Sequence, residues 1–320
     1  MRAWVLGLVL VACQDRTRPA VRLAEGREAY RLYCVACHGE AGDGHGPAAS
    51  RMRPLPRDFR QGLFKFSDAA AGELPSDDAL LRTLRRGLHG TPMLAWDIPE
   101  PQRRDILEYV KTFSRRWKDE SPGKRLEVSP DPWTGRSAEA VSRGRVLYHL
   151  TTAGNAGCAA CHPSYLSEAE RRLLDPQAQG APRYRASLHE SEYPLTTDPQ
   201  GEAVLQAQVL PTDFLFTPTK TVWPLGTQVD GAPYTAERQR EDVYRVIASG
   251  VGGAAMPEWK GALPEESLWA LAYYVQSLIQ EQGTPQALEA RRRLEHQPPG
   301  KLTGAGNQRE NARDSTDEHL

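Results

Sequence analysis

Two five-residue words, Cys34-Val35-Ala36-Cys37-His38 and Cys158-Ala159-Ala160-Cys161-His162, constrain this chain more than any other feature. Two thiols three positions apart can add across the two vinyl groups of one haem, and the histidine that follows then lies under the iron as proximal ligand. A four-cysteine zinc site, two tight disulfides or a redox-active dithiol would use the same cysteines. None of the three explains why a histidine directly follows both pairs. The spacing therefore predicts two covalent, thioether-linked haem c groups, one on Cys34 and Cys37 with His38, the other on Cys158 and Cys161 with His162.

Each word sits in a repeated unit. Leu81-Arg82-Thr83-Leu84 to Gly87, then Met93 and Trp96, matches Tyr244-Arg245-Val246-Ile247 to Gly250, then Met256 and Trp259, at the same spacing. Upstream, Pro56-Arg57-Asp58-Phe59 matches Pro211-Thr212-Asp213-Phe214, and Gly26 and Tyr30 match Gly144 and Tyr148. Each unit opens on a short helix carrying Gly and Tyr on one face, the glycine allowing a close helix crossing. It closes on an amphipathic helix, marked by Ile106, Val110, Phe113 and Trp117 after Pro101, and by Leu268, Leu271, Val275 and Leu278 after Pro264. Between them, a middle helix runs from about Asp77 to Arg86, with Ser76 as its N-cap and Gly87 as its stop.

These units resemble the class I cytochrome c fold, in which the haem motif lies near the start and an axial methionine in a later loop. The stretch Gly42-Asp43-Gly44-His45-Gly46-Pro47 also resembles the glycine-rich loop after the haem motif of many bacterial cytochromes of this type. The resemblance implies an all-α chain of two tandem domains, each of about three helices around one haem. It also implies Met93 and Met256 as sixth ligands, since both fall in matched register before a tryptophan. Met52 lies only 14 residues beyond His38, and Met256 is the only methionine after the second motif. His89 and His189 are the rivals that would make a haem bis-histidine. Arg57, Arg82 and Arg245 suit haem carboxylates, because guanidinium matches carboxylate geometry.

His/Met ligation raises the haem potential and fills both axial positions, which points to an electron carrier, not an enzyme. The envisaged role is an envelope electron shuttle, or the electron-entry subunit of a respiratory complex, with redox proteins as partners. A dihaem cytochrome c peroxidase and a haem-based gas sensor are the alternatives, and each needs an iron with an open position.

The domain reading is 22–117 and 136–283, joined by a proline-bearing linker at 118–135. The second unit is longer between its histidine and its Pro-x-Asp-Phe element, which places an insertion at about 163–210, with a helix opened by the capping pair Ser167 and Glu170. Residues 284–320 read as a charged, disordered tail in which a helix resumes as far as Glu295. Residues 1–12 read as a signal peptide, and Leu10-Val11-Ala12-Cys13 resembles a lipoprotein signal, implying lipidation of Cys13 and a membrane anchor. That places the chain on the periplasmic side of a bacterial envelope, with Gln14 favouring the outer membrane. A net charge of −1 gives no reason to expect nucleic acid.

Overall fold

Helices carry the architecture. The computed structural model describes residues 19–151, 155–177, 182, 184–185, 188–197 and 203–295. Residues 1–12, expected to be a leader, Cys13 and the chain beyond 295 lie outside the described residues.

The first half contains α1 (Pro19–Tyr33), α2 (Val35–His38), α3 (Asp77–Arg86), α4 (Glu100–Lys111) and α5 (Arg116–Asp119). The second contains α6 (Ser137–His149), α7 (Glu168–Leu174), α8 (Ala236–Ser249), α9 (Glu265–Gln280) and α10 (Pro285–Glu295). Within each half the first and last long helices cross, α1 on α4 and α6 on α9. This is the all-α fold of class I cytochromes c.

A glycine makes each crossing. A Cβ on Gly26 would run into the Asp105 carbonyl of α4, and one on Gly144 into the Ala270 carbonyl of α9. Both crossings use the same register, because Tyr109 and Tyr274 supply the next nearest atoms. The faces so joined are apolar: Ala29, Tyr30, Ile106 and Val110 in the first half, Leu147, Tyr148, Leu268 and Leu271 in the second. The helix α3 begins at Ser76, whose hydroxyl accepts from the Ala79 amide, and stops at Gly87, which takes a positive φ of 65°. The helix α8 repeats this plan between Thr235 and Gly250.

Three features depart from the sequence reading. The last helix of the first half ends at Lys111, so Phe113 and Trp117 do not continue it. A break at Ser114 and the short α5 carry Trp117 to Phe64 instead, with ring centroids 6.2 Å apart. Two small antiparallel ribbons interrupt the helical plan, β1 (His189–Thr197) with β2 (Ala203–Val209), and β3 (Gln228–Val229) with β4 (Ala232–Pro233). The first lies in the insertion at 163–210, after α7, whose Ser167 and Glu170 form the expected capping box. The helix that the sequence reading resumes as far as Glu295 is α10, with Ala287 and Leu294 buried and Arg291 over the Phe216 ring.

Between α5 and α6 the stretch 120–131 has no helix or strand, yet it is seated along its length. Gly123 donates its amide to the Leu74 carbonyl, Ser129 donates to Glu265, Tyr273 donates to Asp131, and the Trp133 indole donates to the Glu266 carbonyl. It is a strap that ties both halves, stiffened by prolines.

Gly144→Ala tests the crossing. Alanine raises intrinsic helix stability by up to about 1 kcal/mol, but forcing a methyl into a packed crossing costs roughly 1–3 kcal/mol. The expected outcome is net destabilisation, read as a lower urea midpoint; an unchanged or higher midpoint would show the crossing to be loose.

Candidate haem sites

The first cysteine word follows directly on a helix end, and the second begins nine residues after one. In the first half α1 ends at Tyr33, and Cys34 to His38 form one further turn, with the His38 amide donating to the Cys34 carbonyl. In the second, Cys158 to His162 form the same turn, with the His162 amide donating to the Cys158 carbonyl. The turn is then anchored from below. The buried Tyr30 hydroxyl donates to the Gly39 carbonyl at 2.8 Å, and the Tyr148 hydroxyl donates to the Pro163 carbonyl at 3.0 Å. Each tyrosine thus holds the residue after the histidine. It does so although Tyr30 precedes its first cysteine by four positions and Tyr148 by ten.

The Pro-x-Asp-Phe elements, seen in the sequence without a role, seat the histidines. His38 Nδ1 lies 3.0 Å from the Arg57 carbonyl, and His162 Nδ1 lies 2.9 Å from the Thr212 carbonyl. A carbonyl can only accept, so Nδ1 carries the proton and Nε2 presents its lone pair. Phe59 stacks on the His38 ring at 4.4 Å and 18°, and Phe214 on the His162 ring at 5.0 Å and 18°. Ring plane and tautomer are therefore fixed in the same way twice. Burial pushes the His38 pKa down, which keeps the imidazole in the neutral form that a metal needs.

A cavity of about 1800 Å³ opens in front of His38, exceeding the ~300–1,000 Å³ usual for a single small-ligand site. Its wall brings together Cys34, Cys37, His38 and Met93, with apolar surface from Leu84, Ile98 and Val110. Met52 lies on the same wall. Met93 differs from Met52 in having a structural counterpart. The Leu88 amide donates to the Met93 carbonyl at 2.8 Å, and the Val251 amide donates to the Met256 carbonyl at 3.0 Å. Gly87 and Gly250 pack against these same two loops, where a Cβ would meet backbone. His89 does not line the cavity; its amide donates instead to the Lys220 carbonyl in the other half. His189 lies in β1, and its side chain lies outside the described ones.

Donor chemistry also separates the competing uses of the cysteines. All four thiols are free, and burial, with the neighbouring thiol adding to it, pushes Cys34 and Cys158 up to about 12. A redox-active dithiol needs the opposite shift. Among the described residues no cluster of three or more His, Cys, Asp or Glu is arranged to hold a metal ion, so the two pairs do not form a four-cysteine zinc site. A mainly apolar cavity lined by two thiols, an oriented imidazole and a thioether fits a covalently held haem.

Of the arginines marked for haem carboxylates, Arg57 lines this cavity, whereas Arg82 and Arg245 line a separate one of about 50 Å³ between the halves. There Arg245 pairs with Asp242 at 2.9 Å and Glu241 at 3.0 Å.

Residues 21–110 match the model of cytochrome c oxidase, cbb3-type, subunit III. The chain thus carries a cytochrome c-type domain, which implies covalently bound haem c and haem-based electron transfer. Among solved structures, it is similar to a chain of the Kuenenia stuttgartiensis reducing HAO-like protein complex, at 26% identity and a TM-score of 0.57, over 80% of this chain and 96% of the other. No curated protein matches it. Among the described residues no helix is long and apolar enough to cross a membrane.

One buried residue near the second site went unnoticed in the sequence. His149, at the end of α6, donates from Nδ1 to the Arg145 carbonyl at 2.8 Å and accepts at Nε2 from the Tyr165 amide at 3.1 Å. Burial pushes its pKa down to about 4. The folded state therefore binds this proton less readily than the unfolded state. Its contribution is whole above the unfolded value of ~6.5 and is lost as the pH falls toward 4. The loss amounts to about 3 kcal/mol on the usual conversion of pKa into free energy. Urea titrations at pH 7.5 and 4.5 should show that difference in the wild type and a smaller one in His149→Gln; an equal slope in both would remove His149 from this role.

Proposed function

We propose that the chain is a dihaem electron carrier. Residues 22–117 hold one haem c on Cys34, Cys37, His38 and Met93, and residues 136–283 hold a second on Cys158, Cys161, His162 and Met256, with 118–135 as the connecting strap. One observation carries the reading: the two halves repeat the same backbone device at both axial ligands. A Pro-x-Asp-Phe carbonyl orients each histidine, and an amide just after a helix-ending glycine closes each methionine loop.

A haem in each site supplies a reversible one-electron couple. The chain's own groups do the rest. The cysteines fix the ring covalently, the Nδ1 hydrogen bonds hold each imidazole edge-on, and the aromatic walls of Phe59 and Phe214 keep water from the proximal side. Methionine at the sixth position raises the potential relative to bis-histidine ligation. With a side chain at both axial positions there is no open place for peroxide or a gas, and this separates the carrier from a dihaem peroxidase or a gas sensor.

The likeness to a chain of a multi-protein complex spans 80% of this chain, more than either half alone. It supports a role as the electron-transfer subunit of a larger redox assembly. Cytochromes of this type generally work outside the cytoplasm, which agrees with the leader at 1–12 and with an anchor at Cys13 on the periplasmic side of the envelope.

Three measurements test the reading. Haem stain should survive on a denaturing gel, a pyridine haemochrome assay should give two haems per chain, and the oxidised protein should show the near-infrared methionine-to-iron band. Met93→Ala and Met256→Ala should each remove about half of that band and open one haem to carbon monoxide. Absence of the stain, or carbon monoxide binding to the unaltered reduced protein, would overturn it.

A further inference from the structure

The contact between the halves is reciprocal. Lys65 stands six residues after Phe59, and Lys220 stands six residues after Phe214, so the two lysines are counterparts in the repeat. The Lys65 carbonyl accepts from the Gly252 amide at 3.1 Å, and the Lys220 carbonyl accepts from the His89 amide at 2.8 Å. Gly252 and His89 are counterparts as well, each two residues past the glycine that ends the middle helix. Each lysine backbone therefore pins the methionine loop of the opposite half. The loops fit tightly: a Cβ on Gly252 would strike the Phe64 carbonyl, and one on Gly90 would strike Pro218.

Both lysines line the large cavity in front of His38. The same cavity reaches Pro211, Thr212 and Asp213, the segment whose carbonyl seats His162. Burial lowers the pKa of both ammonium groups, and the nearby charges of Lys220 and Arg57 help push Lys65 down to about 8. Among the described residues neither ammonium has a carboxylate within ion-pair distance. The acidic side chains on the cavity wall are otherwise engaged. Asp58 pairs with Arg60 at 2.8 Å, Asp213 accepts from the Tyr165 hydroxyl at 3.1 Å, and Asp43 accepts from the His45 amide at 3.0 Å. Two half-buried cations lining one cavity without a paired anion are costly, and a dianionic ligand offsets that cost.

We infer that Lys65 and Lys220 form a shared cationic seat at the junction of the halves, which takes the carboxylates of both haems. The inference rests on the dihaem reading above and adds to it the groups that neutralise the haem edges where the two sites meet. A positive charge beside a haem carboxylate favours the reduced state, so the seat raises both potentials, and each lysine acts on the haem of the other half as well as its own.

The test uses the full-length, haem-loaded protein with the two potentials resolved by spectroelectrochemical titration. Lys65→Met and Lys220→Met should each lower both midpoint potentials, the double variant should lower them further, and Lys65→Arg should restore them. Resonance Raman of the unaltered protein should place the propionate bending modes where charge-assisted hydrogen-bonded carboxylates appear, and the Lys→Met variants should move them. Propionate modes of free carboxylates in the unaltered protein would overturn the inference even if no variant accumulates. So would variants with wild-type potentials, or a shift confined to the lysine's own half. A protein without haem stain would overturn the underlying reading instead, so the two failures are distinguishable.

Discussion

Each histidine that follows a cysteine pair is held by a hydrogen bond from Nδ1 to a main-chain carbonyl, Arg57 in one half and Thr212 in the other. The rest of the arrangement follows from that constraint. An imidazole that donates from Nδ1 must offer Nε2 outward, so the plane and direction of any axial bond are set before a metal is present. To bring the carbonyl there, the Pro-x-Asp-Phe segment must pass beneath the haem word. The aspartate makes this turn locally, since Asp58 accepts from the Arg60 amide and Asp213 from the Leu215 amide. The phenylalanine then has one place to go, flat against the imidazole it helps to hold.

The same segment leads directly to the contact between the halves. Six residues past each phenylalanine comes a lysine whose carbonyl reaches the opposite methionine loop. Proximal seat, lysine and distal loop are thereby linked in one covalent and hydrogen-bonded path that crosses from half to half and returns. Arg86 reinforces the junction by pairing with Asp230 at 2.6 Å and Asp242 at 3.2 Å in a half-buried setting. Such partly buried pairs define geometry more than they add stability, because desolvation offsets much of the attraction.

The halves are not equally built. In the first, α4 buries one face and leaves the other in water, and Asp105 in that buried face pairs with Arg22 at 3.0 Å. In the second, α9 is covered on most sides by α6, α8 and the strap, and its stretch from Ser267 to Gln276 is buried without a break. A helix enclosed on most sides carries little polar surface of its own, which is why Leu268 to Val275 reads as an almost continuous apolar run. Trp133 at the end of the strap and Ala287 of α10 join the core of this half, which is the larger of the two.

The repeated Cys-x-x-Cys-His turns, the helix-ending glycines and the matched register of the two methionine loops were legible in the sequence because each is a local requirement. A thioether pair needs its fixed spacing, a helix stop needs a residue that tolerates positive φ, and a close crossing needs a residue without a side chain. The capping box at Ser167 was legible for the same reason. The break at Ser114 was not, since Phe113 and Trp117 keep a helical period whether or not the backbone does; packing of Trp117 on Phe64 decided it. The partner of Nδ1 and the roles of Lys65, Lys220 and His149 were also hidden, because they depend on carbonyls and cavities contributed by residues distant in the chain. Sequence alone thus determined the order of helices around each cysteine pair and marked the first half as a cytochrome c-type domain. Only the tertiary structure decided how the two halves face each other, because that relation rests on main-chain hydrogen bonds and burial, which leave no mark on residue identity.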